Sequence, residues 1–322
     1  MADQQKPWVP LSSAELHVEV NPLGAQLSLF RDRGSRDMLW DGDPAVWAGR
    51  APILFPTIGE VAGGSYRLGS KTYRLSRHGF ARGKMFEVVT AGATERPATE
   101  RSAKEPPAGA REPPAGASSA TFRLTADEAT LQIYPFHFEL DVSFTVSGTT
   151  LTVTTSVRNK GTENMPASVG YHPGFRWPLP YGQPRAAHFI EFASDEPAPI
   201  RRLDAHGLLT SEQHPTPVSN KRLGLEDSLF ADDVVIFDEF HSRSVTYGAA
   251  DGPRIRVSYP NATYLGIWTK PGGAGFICIE PWRGIADPVG FSGDFTAKPG
   301  VFSVAPGEAQ SIEMAITLLG DS

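Results

Sequence analysis

One ionisable ring, His172, stands at the end of a strand-like run, directly before a proline, in the sequence ASVGYHPGF at 167–175. Successive side chains of a strand point to opposite faces. His172 would then share a face with Ser168 and Gly170, and the apolar residues of the run would lie on the other face. This placement favours a proton-transfer group that faces a cleft over a purely structural histidine of the core.

A single carboxylate, Glu280, interrupts the apolar run GFICIEPWRG at 275–284. If the run is a strand, Phe276, Cys278 and Glu280 share one face, and Glu280 closes the strand just before Pro281. A carboxylate at that place costs free energy unless it is paired or faces a wet cleft. Glu280 is therefore either a rim carboxylate bonded to a basic partner or an acid–base group of a site.

Two further segments contain groups that suit the binding of hydroxyls. His78 and Arg82 lie four residues apart in RHGFARGK at 77–84. An arginine can donate two parallel hydrogen bonds to vicinal hydroxyls or to a phosphate. Trp268 and Trp282 offer flat apolar surfaces of the kind that stack on the C–H face of a sugar. The structural alternatives are a salt bridge for Arg82 and core packing for the tryptophans.

The elements that must position these residues are strands. Apolar and polar residues alternate with a period of two, which predicts half-buried antiparallel strands, at 136–146, 151–159, 254–260 and 311–319. The sequence SGTT at 147–150 predicts a hairpin turn between the first two. No stretch shows a sustained 3.6-residue apolar repeat. The fold class is therefore all-β, a sandwich or related closed architecture.

Composition excludes several classes of protein. The formal net charge is −6, from 30 basic and 36 acidic residues that are well mixed along the 322 residues. Nucleic-acid and anionic-membrane surfaces need clustered Lys and Arg, so we expect neither partner. Cys278 is the only cysteine, which excludes an intrachain disulfide and a four-thiolate metal site. No secretory signal or membrane-spanning apolar stretch is visible, and we expect a soluble, cytoplasmic protein.

We interpret residues 1–322 as a single β-sandwich domain with an insertion at 91–120. The insertion contains no aromatic residue and no Leu, Ile or Val, and it repeats EPPAGA twice. Such a segment cannot bury enough apolar surface to offset the entropy of ordering. We therefore expect a flexible, Pro/Ala/Gly-rich surface loop that joins two neighbouring strands.

The ordered set HGFAR at 78–82, GYHPGF at 170–175 and CIEPWRG at 278–284 resembles the aldose 1-epimerase (galactose mutarotase-like) superfamily, in its LacX-like branch. The resemblance covers roughly residues 15–318, apart from the insertion. It implies a large antiparallel β-supersandwich with few short helices and a sugar-binding cleft. It also implies that the protein interconverts the α and β anomers of an aldose with no cofactor and no metal.

By position, the resemblance implies a general base at Glu280 and a general acid at His172. Mutarotation removes the proton of the anomeric hydroxyl and protonates the ring oxygen, so one group of each kind is required on two sides of the sugar. A nearby carboxylate raises the pKa of a histidine. We therefore expect Glu280 to hold His172 in its cationic form.

The resemblance also implies that His78 and Arg82 bind the substrate, together with an aspartate that binds sugar hydroxyls. That aspartate matches Asp233, with the adjacent Asp232 as the other register. The expected partner is a small-molecule sugar or sugar phosphate, because Arg82 and its basic neighbours could receive a phosphate. The sequence does not fix the oligomeric state.

Two other functions remain open from the residues alone. The first is a non-catalytic carbohydrate-binding or sensing protein with the same cleft, which the intact pair of His172 and Glu280 disfavours. The second is a glycoside hydrolase on a similar sandwich. Hydrolysis normally uses two carboxylates roughly 5–9.5 Å apart, whereas this set has one firm carboxylate and a histidine.

Overall fold

The computed structural model describes residues 7–93 and 116–320. The main secondary structure of these residues is antiparallel β-strand. The strands are β1 (Val9–Ser12), β2 (Leu16–Asn21), β3 (Gln26–Asp32), β4 (Ile53–Leu54), β5 (Ser65–Leu68), β6 (Lys71–Arg74), β7 (Glu87–Ala93), β8 (Ser118–Thr125), β9 (Phe138–Ser147), β10 (Thr150–Asn159), β11 (Met165–Ala167), β12 (Val169–Tyr171), β13 (Gly174–Arg176), β14 (Phe189–Phe192), β15 (Arg222–Gly224), β16 (Val235–Phe237), β17 (Ser244–Gly248), β18 (Arg254–Ser258), β19 (Tyr264–Trp268), β20 (Phe276–Arg283), β21 (Phe302–Val304) and β22 (Ala309–Leu319).

Helical structure is sparse in the described part of the chain. One short α-helix, α1 (Glu128–Ile133), begins at Asp127, whose side chain accepts a hydrogen bond from the backbone N–H of Thr130. The 3-10 turns are Ala62–Gly64, Ala81–Gly83, Arg185–Ala187, Asp227–Phe230 and Phe295–Ala297. No helix of the described residues is long and apolar enough to cross a bilayer. The prediction of an all-β fold with few short helices is confirmed.

A nine-stranded sheet forms one layer, in the order β15-β14-β17-β18-β22-β10-β9-β8-β7. Its central strands β9 and β10 alternate buried and half-buried residues without a break, as their period-two sequences predict. They form a hairpin in which Ser147 lies opposite Thr150, so the predicted turn at 147–150 is confirmed. One face of this sheet is therefore apolar and must be covered.

A six-stranded sheet lies against that apolar face, in the order β16-β19-β20-β12-β4, with β13 also paired to β20. Apolar residues of both sheets, such as Val153 from β10 and Ile279 from β20, belong to one buried cluster. The hydroxyl of Tyr171 on β12 links the layers, because it lies 3.0 Å from the carbonyl oxygen of Val153 and 2.9 Å from that of Ile312 on β22. The six-stranded sheet carries the functional site on its opposite face.

We expect Tyr171→Phe to lower the free energy of unfolding by about 1–2 kcal/mol, because it removes a buried hydroxyl that hydrogen-bonds from one sheet to the other. Urea denaturation measures the effect. Tyr73→Phe, at a half-buried tyrosine of the β5–β6 hairpin, is the control and should stay within about 0.5 kcal/mol. Equal stability of Tyr171→Phe and wild type would show that this hydroxyl does not hold the layers together.

The predicted insertion joins the edge strand β7 to its neighbour β8. These strands pair antiparallel, and residues 91–93 and 118–120 at the two ends of the predicted loop belong to that pairing. Residues 94–115, which make up most of the predicted insertion, lie outside the described residues. The expectation that the flanking segments are neighbouring strands is confirmed.

Candidate active site

His172 and Glu280 are brought together by the register of two neighbouring strands. Gly170 lies opposite Trp282 in the β12–β20 pair, and Gly174 lies opposite Cys278 in the β13–β20 pair. The same register places His172 directly across from Glu280. Their side chains meet at the floor of a cavity, with Nε2 of His172 3.2 Å from Oε2 of Glu280.

The place of Glu280 in its strand differs from the prediction. β20 runs on through Pro281 to Arg283, so Glu280 lies inside the strand and not at its end. Pro281 removes a single N–H donor, and Leu265 of β19 still lies opposite it. The pairing of β20 with β12 ends at Gly170 and Trp282, and Trp282 is the residue directly after this proline. A proline therefore interrupts one ladder of β20 without ending the strand.

Burial dominates the protonation of this pair. Glu280 is 2 % exposed and His172 8 % exposed. Loss of water raises the pKa of Glu280 well above its usual range, and the charge of Arg77 opposes this more weakly. The same loss of water lowers the pKa of His172. The expectation that Glu280 holds His172 in its cationic form is therefore wrong, because burial favours the uncharged forms of both groups, a protonated Glu280 beside a neutral His172.

This protonation predicts how stability depends on pH. Unfolded Glu280 titrates near pH 4.3, whereas folded Glu280 keeps its proton to higher pH, so the unfolded state binds fewer protons above about pH 4.3 and the free energy of unfolding falls. Glu280→Gln removes that loss. We expect the variant to gain stability over wild type from about pH 5 upward, by up to about 1.4 kcal/mol per pH unit. Urea denaturation of both proteins across pH measures it, and a constant difference would contradict the assignment.

His78 lies beside the pair in a fixed tautomer. Its Nδ1 accepts a hydrogen bond of 3.1 Å from the backbone N–H of Gly59. Burial, with the nearby His172 and Arg77, lowers the pKa of His78 well below its usual range, so the ring is neutral. Because Nδ1 is an acceptor, the ring proton is on Nε2. His78 lines the cavity and has an N–H to donate to a ligand.

The turn that carries His78 depends on a glycine. His78 and Gly79 both have left-handed backbone, with φ of 65° and 72°. A Cβ on Gly79 would lie 2.1 Å from the carbonyl oxygen of Phe55. The N–H groups of Phe80 and Ala81 donate to that same oxygen, so the turn is fastened to the segment after β4. Any side chain at position 79 would separate the two segments.

A charged group lines the mouth of the cavity. Arg77, Arg82 and Asp233 all line it, and Nη2 of Arg77 is 3.9 Å from Oδ2 of Asp233. Arg82 donates a hydrogen bond of 2.9 Å to the carbonyl oxygen of Arg77. Asp233 has φ of 64°, and a strained backbone of this kind is frequent at functional sites. Asp233 rather than Asp232 is the aspartate that lines the cavity.

Three tryptophans form its walls, one of which the sequence analysis missed. The ring of Trp47 stacks on His172 with centroids 5.0 Å apart, and Trp268 meets the same ring edge-on at 5.6 Å. Trp282 is 5 % exposed, and its indole occupies the space that Gly266 leaves free. Trp47 had no periodic signal because it lies in a loop.

The cavity enclosed by these residues has a volume of about 410 Å³, within the roughly 300–1,000 Å³ typical of small-molecule sites. All seven residues that the sequence analysis singled out line it: His78, Arg82, His172, Asp233, Trp268, Glu280 and Trp282. His172 and Glu280 form its floor, aromatic rings form its walls, and charged side chains line its mouth. Such a cavity suits a polar ring with apolar faces and a hydroxyl that must lose or gain a proton.

Comparison with known proteins points the same way. The family model described as aldose 1-epimerase matches residues 9–302. The plasmid and chromosomal LacX proteins of Lactococcus lactis subsp. lactis are 29% identical over 320 residues, covering 97% of this chain and 99% of theirs.

Two solved structures of related proteins have the same architecture. A galactose mutarotase related enzyme from Lactobacillus acidophilus superposes with a TM-score of 0.82 at 27% identity, covering 98% of each chain. A galactose mutarotase-like protein from Lactobacillus casei also gives a TM-score of 0.82, at 25% identity over 97% of this chain and 100% of that one.

Proposed function

The chain belongs to the aldose 1-epimerase family, and from that premise we propose that it interconverts the α and β anomers of an aldose by opening and closing the sugar ring. One observation carries the proposal. Nε2 of His172 and Oε2 of Glu280 lie 3.2 Å apart at the floor of the cavity, close enough to pass a proton between them. A reaction that removes one proton from a sugar and adds one back needs a general base and a general acid, and it consumes neither.

The reaction begins when the proton moves from Glu280 to His172, which creates a carboxylate base and an imidazolium acid. The carboxylate takes the proton of the anomeric hydroxyl, and the imidazolium protonates the ring oxygen as the C1–O5 bond breaks. Rotation about C1–C2 turns the aldehyde over. Ring closure then returns the proton to the anomeric oxygen and restores the pair. The positive charge of Arg77 favours the carboxylate form of Glu280.

The contact between the two groups changes the expected geometry of catalysis. They stand side by side on one sheet face and not on two sides of the sugar. In a pyranose the anomeric hydroxyl and the ring oxygen are bonded to the same anomeric carbon. The proton that is removed and the proton that is added are therefore exchanged at one edge of the ring. A sugar presented edge-on to the floor can reach both side chains at once.

The remaining lining residues hold the sugar in that orientation. The Nε2–H of His78 donates to a hydroxyl or to the ring oxygen, and Asp233 accepts from hydroxyls at the mouth. Trp47 and Trp268 cover apolar C–H faces. Arg77 and Arg82 place two guanidinium groups at the mouth, where they could bind a phosphate. The substrate class is therefore a free aldose or an aldose phosphate.

The test is the rate of anomer exchange, measured by saturation-transfer NMR over matched free and phosphorylated aldoses. We expect exchange above the spontaneous rate for at least one sugar, and the preferred member of each pair identifies the role of the two arginines. Binding of a sugar, detected as thermal stabilisation, without any acceleration would overturn the enzyme assignment. The protein would then be a carbohydrate-binding member of the family.

A further inference from the structure

The pocket face of β20 carries a ligand-type side chain that the proposed reaction does not use, the thiol of Cys278. Cys278 precedes Glu280 by two residues and therefore projects from the same face of the strand. One donor atom each from His172, Cys278 and Glu280 lies within 4.8 Å of the other two. Cys278 and Glu280 lie on β20, and His172 lies between β12 and β13, which both pair with β20, so the sheet fixes the spacing of the three donors.

We propose that His172, Cys278 and Glu280 bind a thiophilic divalent cation, with Zn²⁺ as the best match, and that the bound cation blocks sugar turnover. Nitrogen, sulfur and carboxylate oxygen are the donors that Zn²⁺ takes, and three protein ligands with one open position are its usual arrangement at reactive sites. The inhibition rests on the proposed function. The binding itself does not.

The distances allow this coordination after a small adjustment. Tetrahedral zinc with bonds of about 2.0–2.3 Å places its ligand atoms about 3.3–3.7 Å apart. Donors within 4.8 Å of one another therefore need to approach by at most about 1.1–1.5 Å to reach tetrahedral spacing. The space above the floor supplies the fourth position, since His172 and Glu280 line the cavity.

Part of this donor set has no hydrogen-bond partner among the residues that the structure describes. Nδ1 of His172 is buried and has no hydrogen-bond partner in the described part of the chain. Cys278 is a fully buried free thiol packed among Trp40, Ala274 and Phe276. A thiolate and a carboxylate together balance the charge of a divalent cation in a place where an uncompensated charge is costly. The apolar shell around the thiol excludes water and strengthens the metal–ligand bonds.

The direct test is metal binding by the purified, metal-stripped full-length protein. Competition with a chromophoric chelator gives the affinity for Zn²⁺, and Co²⁺ provides a spectroscopic probe of thiolate ligation. We expect one tight Zn²⁺ site, a thiolate-to-cobalt charge-transfer band, and loss of anomer exchange as the site fills, reversed by a chelator. Mg²⁺ and Ca²⁺ prefer six or more oxygen ligands, and neither should compete.

Variants separate this site from surface binding. We expect Cys278→Ala and Cys278→Ser to weaken Zn²⁺ binding by at least about 100-fold, since loss of a residue that only supports a zinc ligand already costs about 10–100-fold, and to abolish the cobalt band. His17→Gln is the matched control, because His17 Nε2 also lies 3.0 Å from a carboxylate, that of Glu19, and its loss should change nothing.

Zn²⁺ affinity that is unchanged in both Cys278 variants, or a cobalt spectrum of wild type without a thiolate band, would overturn the proposal. The second measurement needs no variant and holds if a Cys278 variant fails to fold. Absence of anomer exchange before any metal is added would instead refute the proposed function and leave the binding result intact.

Discussion

Glu280→Gln is expected to lower the rate constant for anomer exchange by about 10²–10⁴-fold, the range that a positioned acid–base group contributes. Glutamine keeps the shape of the side chain and its contact with His172, but it cannot give up or return the shared proton. Sugar affinity should change little, since the binding groups at the walls and mouth are untouched. Saturation-transfer NMR gives the rate, and ligand-dependent thermal stabilisation gives the affinity.

A matched control exists in the same chain. Glu196 is as buried as Glu280, at 2 % exposure, but its carboxylate accepts backbone hydrogen bonds from His241 and Ser242 at 2.8 and 2.7 Å. We expect Glu196→Gln to lose stability and keep its exchange rate, whereas Glu280→Gln gains stability at neutral pH and loses its rate. Wild-type exchange by Glu280→Gln would remove Glu280 from the mechanism.

Gly79→Ala is expected to lower the free energy of unfolding by about 3 kcal/mol. Two costs combine: an L-residue forced into left-handed backbone, about 1–2 kcal/mol, and a methyl group forced against a fixed carbonyl, about 1–3 kcal/mol. The methyl would lie 2.1 Å from the oxygen of Phe55. Because that oxygen fastens the turn of His78, sugar affinity should fall as well. Urea denaturation and sugar titration measure the two effects.

Gly83→Ala, in the same loop, is the comparison. A Cβ there meets no atom within 4 Å, and we expect a change within about 0.5 kcal/mol. If both alanine variants were equally stable, the close approach of Gly79 to Phe55 would not be a constraint on the fold. If both were equally destabilised, the loop would be sensitive to any substitution and not to this contact.

Local pattern accounts for what the sequence predicted correctly. Alternation within 167–172 placed His172 on the face opposite the apolar residues, and alternation within 276–280 placed Glu280 on one face with Phe276 and Cys278, because the period of a strand is a short-range property. The same alternation in β9 and β10 predicted the half-buried strands and their hairpin. The resemblance to a known family supplied the roles that these patterns alone could not assign.

Long-range geometry accounts for what the sequence did not predict. The direct contact of His172 with Glu280 depends on the register between β12 and β20, which no local pattern specifies. The sequence analysis expected a raised pKa for His172, whereas burial lowers that pKa. Its burial comes from Trp47, a loop residue far from it in the chain, and the cost of desolvation outweighs the attraction of a neighbouring carboxylate.

The division of labour between sheet and loops has a consequence for how such a protein diversifies. Glu280 projects from β20, and His172 directly follows β12. Their chain neighbours Ile279 and Tyr171 point to the other face of the sheet and are buried in the main core. Three other lining residues lie in connections between strands and not in the strands of the core: Trp47, Arg77 and Asp233. Mutation can therefore change the sugar preference by replacing residues of these connections, while the core packing beneath keeps the two proton-transfer groups at their positions.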